Sequence, residues 1–85
     1  MWHWRRIMSN LEKLIELFGT VFDGDVQTDG ITEQTRLIED LELNSIGLLY
    51  MALAVEENFG VKFNNDDFVN IRTVQDVLDK IEGKI

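Results

Sequence analysis

An all-α fold is what the sequence predicts: a four-helix bundle with a long loop after its first helix and a short third helix. Three observations carry that expectation. The 85 residues include no proline and no cysteine, so nothing breaks the longer helical stretches and no disulfide can staple a turn-rich fold. Apolar residues recur at helical spacing in stretches that begin near Leu11, Ile46 and Val74. Each stretch is preceded by a residue whose side chain can accept from the unpaired N–H groups of a first helical turn, namely Ser9, Asn44 and Thr73.

Residues 1–8, MWHWRRIM, share none of these patterns. They read as a flexible extension ahead of a single domain over 9–85. His3 is the only histidine, so it has no second imidazole for a metal site. No signal-peptide core and no run of about 20 apolar residues occurs, which predicts a cytoplasmic protein without membrane insertion.

The first helix opens on a capping box, Ser9 with Glu12, and carries Leu11, Leu14, Ile15, Phe18, Val21 and Phe22 toward an end near Asp23-Gly24. Residues 23–36, DGDVQTDGITEQTR, form a polar connection longer than the ~2–8 residues common between bundled helices. Its Asp25, Gln27, Asp29 and Gly30 resemble the first half of a calcium loop. The position that should supply a bidentate glutamate holds Arg36, a cation, so no metal is expected. Leu37, Ile38, Leu41 and Leu43 return the chain to the core. After Gly60, the run Asn64-Asn65-Asp66-Asp67 offers several caps for a brief helix bearing Phe68, Val69 and Ile71. Thr73 caps the last helix, Asp76 complements its dipole, and Val74, Val77, Leu78, Ile81 and Ile85 supply its buried face.

The organising stretch is Leu41–Phe59, LELNSIGLLYMALAVEENF. Turning the helix about 100° per residue separates two apolar stripes. Leu48, Met51, Ala52, Val55 and Phe59 lie together on one side. Ile46, Leu49 and Leu53 lie on another, beside Ser45 and flanked by Glu56 and Glu57. A small bundle needs one stripe for its core, so the second reads as a docking surface. The alternative, with both stripes buried in the middle of the bundle, satisfies the same pattern. Ser45 itself fits equally well as an ordinary helix-start residue.

The formal charge is −8, from 16 acidic and 8 basic residues. Such a surface repels nucleic acid and anionic membranes and favours partners with basic patches. No basic residue falls between Arg36 and Lys62, whereas Glu39, Asp40, Glu42, Glu56 and Glu57 do, so the central helix lies in a negative field. No histidine or cysteine stands near Ser45 to act as its base, which argues against a serine hydrolase.

Three segments resemble the acyl carrier proteins, phosphopantetheine-binding carriers whose hallmark is an Asp-Ser-Leu triplet opening the second helix. Glu39-Asp40-Leu41-Glu42-Leu43-Asn44-Ser45-Ile46 is similar to that hallmark, Val55-Glu56-Glu57-Asn58-Phe59 to the family's helix end, and Ile71-Arg72-Thr73-Val74-Gln75-Asp76-Val77 to its entry into the last helix. The resemblance spans roughly residues 9–82 and implies that Ser45 carries 4′-phosphopantetheine, installed from coenzyme A by a phosphopantetheinyl transferase. It further implies a monomeric carrier of thioester-bound acyl groups in fatty-acid or specialised, polyketide-like biosynthesis. Asn44, Ile46, Leu49, Leu53, Glu56 and Glu57 would then meet acyl-transferring and acyl-modifying enzymes, and Leu48, Val55, Phe59, Phe68 and Ile71 would line an acyl pocket. Asn44 stands where the family has aspartate and Ile46 where it has leucine. Gly47 and Tyr50 occupy positions that are acidic in many members, which points toward a carrier dedicated to one pathway. An aminoacyl or peptidyl carrier, or an unmodified helical module binding through its acidic face, remains the alternative.

Overall fold

The structure, a computed structural model, describes residues 9–23 and 26–84. The segment expected to be flexible, 1–8, lies outside the described residues, as do Gly24, Asp25 and Ile85. Four helices follow in order: α1 (Asn10–Phe22), α2 (Ser45–Phe59), α3 (Asn65–Asn70) and α4 (Val74–Ile81). Among the described residues there is no strand, only one isolated antiparallel bridge between Arg36 and Thr73. The all-α expectation holds, including the short third helix. The segment Leu41–Leu43 is not helical; it leads into α2 with Leu41 and Leu43 buried and Glu42 exposed between them.

The helix starts obey local chemistry. Reciprocal capping boxes open three of them: Ser9 with Glu12, Asn64 with Asp67, and Thr73 with Asp76. In each, one side chain accepts from a first-turn N–H and the other accepts from the cap's own N–H, so two orphan donors are satisfied at once. Helix α1 stops at Asp23, which takes a left-handed conformation at φ 46°, and α2 stops at Gly60, φ 71°. Glycine reaches that region without the steric penalty a side chain brings.

The core draws on every long segment: Leu14 and Phe18 from α1, Met51 and Val55 from α2, and Val74, Val77 and Leu78 from α4. The connection between α1 and α2 supplies the rest. Val26, Ile31, Leu37, Leu41 and Leu43 are all buried. Its polar first half is therefore not a solvated loop, as its composition suggests, but is pinned at both Val26 and Ile31. The pinning is electrostatic as well as apolar. The Val74 N–H donates to the Thr35 carbonyl at 2.9 Å and the Gln75 N–H to the Glu33 carbonyl at 2.8 Å, so the loop satisfies donors that open α4. The Leu37 N–H returns the favour to the Arg72 carbonyl at 2.9 Å. Beside these bonds Asp40 accepts from the Arg36 backbone at 2.8 Å and from its guanidinium at 3.1 Å, which holds the Asp40 carboxyl below its ordinary range.

Helix α3 buries no residue of its own and is held through its N-cap, Asp67 and Phe68. Asp67 accepts from the Asn64 N–H at 2.9 Å and pairs with Lys80 of α4 at 2.9 Å, while the Phe68 ring lies 6.2 Å from that of Phe63. The Asn64 N–H, and after it Lys80, keep the Asp67 carboxyl below the usual carboxylate range. A lowered native pKa contributes stability that is present above the unfolded value, about 4, and is lost as pH falls through the native one. Asp67→Asn should therefore melt below the wild type at pH 7 and lose less on acidification below about pH 4. Melting curves that stay parallel across that window would contradict the pairing.

Candidate functional site

The start of α2 is fixed by Asn44. Its backbone is extended at φ −98° and ψ −174°, its side-chain oxygen accepts from the Gly47 N–H at 2.8 Å, and its carbonyl accepts from the Leu48 N–H at 2.9 Å. Ser45 is consequently the first helical residue, and it is exposed. Its hydroxyl makes no hydrogen bond to another described residue. A helix N-terminus concentrates unpaired N–H groups and a partial positive charge, so a phosphate on that hydroxyl is tolerated or favoured. No acidic residue occupies the first turn of α2, which removes one source of repulsion toward such a group.

Gly47 has a packing reason as well. A Cβ there would sit 3.3 Å from Leu43 Cδ2 and 3.4 Å from the capping oxygen of Asn44. The missing side chain lets Leu43 fold in under the first turn and lets the cap close. This packing role has no local signature in the sequence, because the contact with Leu43 arises only when the first turn forms.

The two stripes of α2 separate in space. Met51, Ala52 and Val55 are 2% exposed or less, and Leu48 and Phe59 pack against them half-buried. Ile46, Leu49 and Leu53 are 63%, 49% and 48% exposed, so the second stripe faces solvent. Tyr50, 59% exposed, extends that apolar face and was not part of the stripe read from periodicity, because its angle falls beyond it. Glu57 is exposed. Glu56 is half-buried, and its carboxylate accepts from the Phe63 N–H at 2.7 Å. One of the two carboxylates assigned to the outer face is thus engaged in holding the chain after Gly60 against the helix.

Of the five residues expected around an acyl pocket, Val55 and Ile71 are buried in the core, Leu48 and Phe59 pack at its edge, and Phe68 is half-buried on α3. An open cleft of about 560 Å³ lies elsewhere, near the first turns of α2, and none of those five lines it.

A capped helix start with an exposed serine thus lies next to an exposed apolar face that also carries Glu57. Residues 12–81 match the family model described as a phosphopantetheine attachment site. The chain is similar to the acyl carrier protein of Coprothermobacter proteolyticus, 40% identical over 60 residues that cover 71% of this chain and 73% of the relative. It is similar to that of Thermotoga maritima, 37% identical over 60 residues covering 71% and 74%, and to that of Thermobifida fusca, 27% identical over 78 residues covering 92% of each. The chain belongs to the acyl carrier protein family. It is a carrier rather than an enzyme, and the group it takes is covalent 4′-phosphopantetheine. The donor chemistry fits, since an exposed hydroxyl at a helix N-terminus can bear a phosphodiester.

If the Asn44 side chain sets the helix start, Asn44→Ala should lower stability in urea denaturation by about 1 kcal/mol, and Asn44→Asp should retain it. An alanine variant as stable as the wild type would contradict the assignment.

Proposed function

We propose that Ser45 is the attachment residue and that the protein shuttles acyl intermediates as thioesters between enzymes of a fatty-acid or polyketide-like pathway in the cytoplasm. The observation that carries this reading is the exposure of Ser45 as the first residue of a capped helix, inside the matched family segment. Bound there, the prosthetic arm supplies a terminal thiol, which a chain without cysteine cannot supply itself. The residues of the chain do the rest. Asn44 holds the helix start so that the hydroxyl points to solvent, and the N-terminal N–H groups stabilise the phosphate charge.

Docking falls to the outer face of α2. Ile46, Leu49 and Leu53 offer exposed apolar area, and Glu57 supplies charge for a basic patch on a phosphopantetheinyl transferase or an acyl-processing enzyme. Charge steers the encounter and sets its orientation, while apolar contact area lengthens the residence time. Glu56, bonded to the Phe63 backbone, contributes more to shaping this face than to contacting a partner. Gly47 and Tyr50 make the face less acidic and more apolar, which supports a dedicated set of partner enzymes over a general one. No helix among the described residues is long and apolar enough to cross a membrane, in keeping with that setting.

The test is intact mass after incubation with coenzyme A and a broad-specificity phosphopantetheinyl transferase. The wild type should gain a single phosphopantetheine increment and Ser45→Ala none, with both proteins showing the same helical circular dichroism. A folded Ser45→Ala that still gains the increment would overturn the attachment residue.

A further inference from the structure

The open cleft near the first turns of α2 brings together one exposed carboxylate, Glu42, the amides of Gln27 and Asn44, and the rings of Phe22 and Tyr50. It adjoins Ser45, since the residues on either side of that serine, Asn44 and Ile46, both line it. Its lining includes no lysine or arginine. The second carboxylate there, Asp40, is held by Arg36 at 3.1 Å. Glu42 has no ion-pair or hydrogen-bond partner among the described residues.

Glu42 also stands against its own backbone preference. Its φ is 58°, in the left-handed region that glycine enters freely and other side chains enter under strain. Leu41 and Leu43 anchor this segment in the core, so glycine would serve the turn better. Strain retained under an exposed, unpartnered side chain points to a use for that side chain. The surroundings select among cations. Among the described residues no three carboxylate, histidine or cysteine side chains lie together as a metal ion would need. An ammonium would pair with Glu42 but gain little from flat rings. A guanidinium pairs with a carboxylate through two parallel N–H bonds and stacks on an aromatic face, which Tyr50, 59% exposed, provides. The charge of −8 favours the approach of a cationic partner, and arginines seated in pockets are frequent anchors of protein interfaces.

Building on the attachment of the arm to Ser45, we infer that this cleft receives an arginine side chain of the transferase that loads the serine. Glu42 pairs with the guanidinium and Tyr50 supplies the ring on which it stacks. The anchor lies ahead of α2, apart from Leu49 and Leu53 on the outer stripe. It places next to Ser45 a negative charge that the neutral cap Asn44 does not provide.

The test titrates the full chain with acetyl-Gly-Arg-Gly-amide and its lysine and citrulline counterparts, followed in ¹H–¹⁵N spectra. Citrulline keeps the shape of arginine without its charge. The arginine peptide should give saturable shifts at Gln27, Glu42, Gly47 and Tyr50. The lysine peptide should bind about threefold more weakly and the citrulline peptide should not saturate. Glu42→Gln should weaken the arginine peptide about fivefold at an unchanged melting temperature, and Tyr50→Leu about twofold. Glu42→Gly should weaken it as much as Glu42→Gln while melting at or above the wild type, because glycine relieves the positive φ. In loading by the broad-specificity phosphopantetheinyl transferase, Glu42→Gln should raise KM about threefold and leave kcat unchanged. Shifts centred on Glu57 or spread over the acidic surface, equal binding of the three peptides, undiminished affinity in Glu42→Gln, or an unchanged KM would each overturn the assignment. A wild type that binds the arginine peptide in the cleft but gains no arm in the mass spectrum would overturn the attachment reading, and with it the choice of enzyme, while sustaining the arginine site.

Discussion

The bond from the Gly47 N–H to the Asn44 side chain is the constraint on which the rest of the molecule depends. It sets where α2 begins, and with it the point at which the buried Leu41–Leu43 segment joins the helix. With the start at Ser45, Met51, Ala52 and Val55 enter the core while Ile46, Leu49 and Leu53 stay outside. The same bond leaves the Ser45 hydroxyl at the positive end of the helix, facing solvent. The exposure of the Ser45 hydroxyl and the packing of the first turn are thus both tied to one cap. Gly47 serves it by giving Leu43 and the Asn44 side chain room to close.

A second constraint positions the first. The connection between α1 and α2 spends the carbonyls of Glu33 and Thr35 on the opening N–H groups of α4 and buries Val26 and Ile31. That locks the chain that delivers Leu41 and Leu43 to the base of α2. The Arg36–Asp40 pair lies beside these bonds and neutralises one carboxylate in an otherwise acidic stretch. The charge of −8 does little to hold the fold together, since like charges repel in the compact state.

Features encoded within three or four residues were legible in the sequence. The box Ser9–Glu12, the caps at Asn44 and Thr73 and the two stripes of α2 all follow from local chemistry or from the helical period, whereas Asp76 was legible as a dipole partner and the structure shows that it also closes a box with Thr73. Even the short third helix announced itself through the polar run at residues 64–67, though four candidate caps left its first residue open and Asn64 is the one used. The loop was not legible in the same way. Val26 and Ile31 are five residues apart among polar neighbours, a spacing that fits neither helix nor strand, and the bonds from Thr35 to Val74 cross a sequence distance no local pattern spans. Glu56 was assigned to the outer face by its angle alone, because its bond to Phe63 depends on the reversal at Gly60. The cleft near the first turn of α2 has no sequence signature for a similar reason: Phe22 and Tyr50 come to line it together only through the tertiary fold.

The central claim is that α2 buries one apolar stripe and reserves the other for partners, and urea denaturation of matched alanine variants tests it most directly. Alanine suits the comparison because it preserves helix propensity. Met51→Ala, on the inner stripe, should lose about 2–5 kcal/mol, as expected for a truncated core side chain. Leu49→Ala and Leu53→Ala, on the outer stripe, should each stay within about 0.5 kcal/mol of the wild type. Losses of similar size on both stripes would contradict the account, because they would mean that the outer leucines hold the bundle together and are not free to receive a partner.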